Sequence, residues 1–204
     1  MAARSAVVPQ SGHSPELTKA GGFRLDDPAG EVGIEFLFVT DGSGERAATY
    51  QVPLTYRGSA CASAGDGLIG TAEHGVLGRR WVYDGTHDPV LVAQLVALIQ
   101  GESESQAQSP SNTPDRTVIS QPVKNGHLEV LESAIAANGP ERTDLRITVA
   151  DAHGTRGDDL LVRVIRVLQH DNDGKVRDRA QGHVSAAWRL PDSTLVRGLL
   201  ATAQ

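Results

Sequence analysis

The sequence predicts an α+β fold: mainly antiparallel β-sheet with one clear buried helix, followed by a second antiparallel β-rich half. Three observations predict it. Strand-length runs rich in β-branched and aromatic residues recur between Gly-, Asn- and Asp-rich turns. One segment alone, Val90–Gln100, carries helix start and stop signals around an almost unbroken apolar body. Between the two sets of strands, Gly101–Arg116 (GESESQAQSPSNTPDR) has no apolar residue larger than Ala, the composition of a linker or mobile excursion.

The elements follow in order. Met1–Ala20 is rich in Ala, Ser, Gly and Pro without sustained periodicity and is expected to be a flexible tail. Glu31–Thr40 and Ala47–Arg57 flank Asp41-Gly42-Ser43-Gly44 and predict a β-hairpin. Arg57–Gly67 is a small-residue loop, and Gly75–Tyr83 is another strand. Asp88 caps the helix, Pro89 suits its first position and Gly101 its end. Val90–Gln100 is apolar on nearly all sides, with only Gln94 and Gln100 polar, so it is expected to be buried on more than one face. In the second half, Thr117–Lys124 and His127–Ala136 flank Asn125-Gly126, the strongest hairpin signal in the chain. Leu145–Ala150, Leu160–Gln169, His183–Leu190 and Thr194–Ala201 are further strands. The expected organisation is a tail over 1–20, a first domain over 21–100, a linker over 101–116 and a β-rich domain over 117–204 packed on the first.

Composition narrows the function classes. With Gly counted and Tyr left out, roughly 48% of the 204 residues are apolar, an ordinary globular value. Only 4% are aromatic, so the core must be built from Val, Leu, Ile and Ala. The formal net charge is −6, and residues 1–100 and 101–204 each carry more acidic than basic groups. Neither half has the basic excess that a phosphate backbone demands, so no nucleic-acid partner is expected. The single Cys61 has no intrachain partner and no neighbouring base to activate it. The longest apolar run, Leu95–Ile99, is far short of a membrane span, and Ala6-Val7-Val8 is no signal-peptide core. The protein is therefore expected in the cytoplasm, with no membrane partner.

No catalytic pattern is complete in the sequence. Asp171-Asn172-Asp173-Gly174 resembles part of a calcium loop, but the register puts Gln169 at its first position and Ala180 at its last, so it is read as a turn. Histidines 13, 74, 87, 127, 153, 170 and 183 stand singly, without zinc-ligand spacing. Gly21-Gly22 and Gly65–Gly70 lack phosphate-loop and dinucleotide spacings. His170-Asp171 lacks the downstream metal-binding Asn of a kinase loop, and no Gly-x-Ser-x-Gly elbow occurs. No metal, cofactor or catalytic residue is expected.

The densest polar–aromatic stretch runs from Arg79 to Asp88. Strand alternation places Arg79, Trp81 and Tyr83 on one face and Arg80, Val82 and Asp84 on the other. Arg79, Arg80, Trp81, Tyr83 and Asp84 are the candidate ligand-binding residues, since an Arg stacked on Trp beside a hydroxyl and a carboxylate suits a sugar or phosphorylated metabolite. The competing reading makes Trp81 and Tyr83 core aromatics with Arg79 lying over them, and it carries the greater weight because large aromatics are mostly buried.

Several long strings in the first half are specific: Phe23–Glu35 (FRLDDPAGEVGIE), Tyr50–Gly58 (YQVPLTYRG), Leu68–Thr71 (LIGT) and Glu73–Gly85 (EHGVLGRRWVYDG), ending at Asp88-Pro89. Over about Gly21–Gly101 the chain resembles the N-terminal cap domain of actinobacterial maltokinases and the related glucosamine kinases. The second half resembles the C-terminal part of short stand-alone proteins that carry this cap without a kinase. The resemblance implies a curved β-sheet with helical packing. In those kinases the ATP, magnesium and sugar sites belong to a separate catalytic part, so no catalytic residue carries over. It further implies a non-catalytic accessory or regulatory protein linked to maltose, glycogen or aminosugar metabolism. Such a protein would contact a carbohydrate kinase or another metabolic protein, or a second copy of itself, through an exposed sheet face or Val90–Gln100. The alternative is a small sugar or sugar-phosphate binding module at Arg79–Asp84.

Overall fold

A computed structural model describes residues 16–44, 47–108, 113–123, 127–151, 153–170 and 180–204. The first half supplies strands β1 (Leu17–Leu25), β2 (Val32–Asp41), β3 (Ala48–Arg57), β4 (Leu68–His74) and β5 (Gly78–Asp84), then helix α1 (Pro89–Gln100) and the short β6 (Gln106–Ala107). The second half supplies β7 (Ile119–Gln121), β8 (Leu128–Asn138), β9 (Arg142–Asp151), β10 (Arg156–Ile165), β11 (Val167–Leu168), β12 (Gly182–Arg189) and β13 (Leu195–Ala203). The first sheet runs β4-β5-β3-β2-β1-β6, with β11 also on β3, and the second runs β7-β12-β13-β10-β9-β8. The pairings are antiparallel, so the predicted class is the observed one: two antiparallel sheets and one α-helix among the described residues. None of these residues forms a helix long and apolar enough to cross a membrane.

The tail drawn to Ala20 ends earlier, because β1 starts at Leu17 and pairs with β2 from Leu17↔Asp41 onward. Gly21 and Gly22 resemble a loop in sequence but lie within a strand. Gly22 has φ +141°, and a Cβ there would stand 2.5 Å from the Phe36 carbonyl oxygen, so the close approach requires glycine. Within 101–116, Gln106 and Ala107 pair with Arg24 and Phe23 and cover the β1 edge, and Gln106 bridges to Pro114. A strand not predicted at all, β4, is exposed along nearly its whole length and so carries no alternating pattern. The Asn125-Gly126 and Asp171–Gly174 turns lie outside the described residues.

The helix follows its local signals. The Asp88 carboxylate accepts from the Val90 amide at 3.0 Å, Pro89 opens the first turn, and Gly101 closes it in the left-handed conformation. Leu91, Val92, Leu95, Val96, Leu98 and Ile99 are all buried. The helix packs on β7, β8 and β12 of the second half, and Leu91 fills the space beside Gly85 that any Cβ would occupy. A single apolar core therefore runs through both halves, from Phe23, Phe36 and Phe38 through α1 to Ile147, Val162, Val184 and Trp188. Phe23 stacks on Phe36 at 4.7 Å, and Phe38 meets Trp188 edge-on at 6.4 Å.

Polar pins cross between the sheets as well. The Gln51 amide on β3 donates to the carbonyls of Ile165 and Leu200, at 2.7 and 3.1 Å. Arg166, between β10 and β11, is 1% exposed and donates from Nη2 to both oxygens of Asp84, at 2.8 and 2.7 Å. Its Nε donates to Thr143 Oγ1 at 3.1 Å, and Nη2 also reaches Thr86 Oγ1 at 2.9 Å.

Candidate functional site

Strand β5 is where sequence reasoning placed a ligand, and its register separates the five candidates. Trp81 and Tyr83 stand opposite Arg57 and Thr55 on β3, whereas Val82 stands opposite Tyr56. Arg79 is exposed and pairs with Glu73 at 3.1 Å across the β4–β5 hairpin. Trp81 is half-buried. Tyr83 is 1% exposed, and its hydroxyl accepts from the Cys61 amide at 2.8 Å. Asp84 is 3% exposed and committed to Arg166 and Thr86. Arg80 points to the other side of the strand and is half-buried. The five residues thus share no single accessible surface; Tyr83 and Asp84 face the interior.

Beside them lies an ion pair that no local pattern announces. Arg57 holds Asp88 with both forks, Nε to Oδ2 and Nη2 to Oδ1, each at 2.7 Å, and the Thr55 hydroxyl adds a bond of 2.8 Å. Burial pushes the Asp88 carboxyl up. The Arg57 fork, the Thr55 hydroxyl and the Val90 amide outweigh it and hold the group below the ordinary carboxylate range. A depressed folded-state pKa contributes stability that is present above the unfolded value of about 3.9 and is lost as pH falls through the folded value. Asp88→Asn is therefore expected to lower Tm at pH 7 and to flatten its fall below about pH 4 relative to the wild type. Thermal unfolding from pH 7 to 2.5 checks it; parallel curves for the two proteins would contradict the assignment.

The outer face of the first sheet carries a row of partly buried apolar residues. Register places Leu37 beside Val52, Val39 beside Tyr50, and Leu54 and Val82 farther along the same face. All six are half-buried rather than covered, whereas the alternate residues Phe36, Phe38, Gln51 and Thr55 are buried. At one end of this face Tyr56 donates to Glu35 Oε2 at 2.9 Å. Burial, then the Glu35 charge and this bond, push the phenol well above its usual value. Gln108 holds the other oxygen of Glu35.

Past Tyr56 the β1–β2 and β4–β5 hairpin turns enclose a trough of about 690 Å³, with Arg24, Asp26, Tyr56, His74, Leu77 and Arg80 among its lining residues. The Asp27 carboxylate is tied to the amides of Ala29, Glu31 and Val32 at 2.9–3.0 Å, shaping the first turn. His74 Nδ1 accepts from Val76 and Leu77 amides at 3.2 Å, shaping the second. Sequence reasoning missed the trough because its walls come from two turns and five strands.

Among the described residues, no three His, Cys, Asp or Glu side chains gather as a metal site. Cys61 is a free thiol, half-buried, with Sγ 3.2 Å from Ser63 Oγ.

No curated protein matches the chain. The family comparison reaches further toward the N-terminus than the resemblance drawn from the motifs: it begins at residue 7, inside the segment expected to be a tail, and ends on the residue that caps α1. Residues 7–88 match the maltokinase N-terminal cap domain, and it is this domain that the first half of the chain resembles.

Proposed function

We propose that this protein is a non-catalytic accessory module of carbohydrate metabolism that docks on a carbohydrate kinase through the outer face of its first sheet. The observation that supports this reading is the strip formed by Leu37, Val39, Tyr50, Val52, Leu54 and Val82, five aliphatic side chains and one tyrosine that lie on adjacent strands and are only partly buried. Contiguous exposed apolar patches mark interaction surfaces, and covering the remaining exposed part of each strip residue contributes a fraction of the about 1.5–3 kcal/mol of a full burial. The match to a maltokinase cap domain suggests a link to maltose metabolism, and on this reading the partner is a carbohydrate kinase. The helix drops out as a second docking surface, because α1 already has its apolar residues covered within the chain.

Val52→Arg tests the reading, since it places a charge at the centre of the strip without touching the core. Wild-type protein used as bait is expected to retain a carbohydrate kinase, and the variant to retain at least tenfold less. Size-exclusion chromatography with light scattering separates self-association from this outcome. Equal retention by both proteins, or no carbohydrate enzyme on either, would overturn the proposal.

A further inference from the structure

The trough between the two hairpin turns holds one side chain whose chemistry the fold leaves unused. Arg57, Arg163 and Arg166 each face a carboxylate, at 2.7–2.8 Å. Arg80 is half-buried, lines the trough, and has its Nε buried with no hydrogen-bond partner among the described residues. An arginine cannot shed its charge at physiological pH, and among the described residues no ion pair takes up the Arg80 charge; with Nε buried, it is the Nη side of the guanidinium that is left to meet an acceptor in the trough. The carboxylates nearby do not meet this need. Asp27 is occupied by three amides and Glu35 by Tyr56 and Gln108. Asp26 and Glu31 line the trough but are exposed to water.

We infer that the trough is a binding site for a small hydroxylated oxyanion, whose carboxylate or phosphate group is held by the Arg80 guanidinium. The planar fork of arginine matches both groups. Arg24 adds a second positive charge to the lining. The exposed carboxylates of Asp26 and Glu31 are acceptors for ligand hydroxyls, and they disfavour an anion of high charge that has none. A volume of about 690 Å³ falls within the range of small-molecule sites and accommodates a ligand of six or seven carbons. The site shares no residue with the apolar strip, so it does not rest on the docking proposal and can fail without it.

The test is amide NMR of the full chain, titrated with gluconate, glucose 6-phosphate and glucose at constant ionic strength set with sodium chloride. Saturable shifts at Gly30, Gly33 and His74 are expected with at least one of the two anions, and glucose is expected to bind at least tenfold more weakly. Response to gluconate alone identifies a carboxylate site, to glucose 6-phosphate alone a phosphate site, and to both a general oxyanion site. Arg80→Gln is expected to weaken the anion at least tenfold, while Lys19→Gln, which removes the same charge at an exposed position outside the trough, leaves it unchanged. If the Gln variant loses its dispersed spectrum, Arg80→Lys serves instead. It keeps the charge and removes the fork, and is expected to weaken binding at least threefold. Shifts scattered over the surface, equal response to glucose, or equal affinity in the arginine variant would each overturn the assignment.

Discussion

Asp84→Asn is expected to cost about 3–5 kcal/mol, because it leaves the Arg166 guanidinium buried without a counter-charge. The two side chains are 4% and 1% exposed and meet at 2.7 Å, and Thr86 and Thr143 occupy the remaining contacts around them. A domain of ordinary stability has about 5–15 kcal/mol in total, so one conservative change removes about a fifth of it or more. Replacing both partners together behaves differently. Asp84→Leu with Arg166→Met removes both desolvation costs, and such exchanges are often neutral or stabilising. Urea unfolding at pH 7 is expected to show a large loss in the single variant and recovery of most of it in the double. A loss below about 1 kcal/mol in Asp84→Asn would mean that water reaches the guanidinium and replaces the carboxylate. The pair joins the first half to the second, so its removal is felt by both sheets.

What was legible in the sequence was local. Asp88, Pro89 and Gly101 specify the ends of α1 by capping chemistry confined to a few residues, and those ends are where the structure has them. The hairpin of β2 and β3 was legible for the same reason, since its buried and half-buried residues alternate with period two. β1 was hidden because two adjacent glycines resemble a loop, whereas Gly22 answers a backbone approach made by β2. β4 was hidden because a strand without a buried face has no hydrophobic period to detect.

The candidate site was legible only in part, and the reason is sequence distance. Asp84 and Arg166 are 82 residues apart, Arg57 and Asp88 are 31 apart, and neither pair follows a spacing that a motif could capture. Alternation correctly divided Arg79, Trp81 and Tyr83 from Arg80, Val82 and Asp84. It could not say which face the core would claim, because that depends on where α1 and the second sheet pack. The result divides the five candidates. Tyr83 and Asp84 became interior groups, and Arg80 was left facing the trough.

Leu95→Asp is expected to unfold both halves together. Leu95 is 1% exposed on the helix that lies between the first-half core and β7, β8 and β12. A carboxylate there has to be neutralised or hydrated at a cost of several kcal/mol, in addition to the 2–5 kcal/mol lost with a buried leucine. Because the apolar core is continuous from Phe23 through α1 to Trp188, displacing the helix opens the core of both sheets at once, beyond what the direct Phe38–Trp188 contact covers. The two tryptophans report separately on the two halves: Trp81 is half-buried on β5 and Trp188 is 1% exposed on β12. In single-tryptophan variants, urea unfolding of the Leu95 protein is expected at one midpoint by both probes, or no folded baseline at all. The Leu95→Ala protein, which keeps the helix apolar, is expected to retain a coincident transition at a lower midpoint. Two well-separated transitions in either protein would show that the sheets are independent domains, with the polar segment after Gly101 acting as a true linker between them.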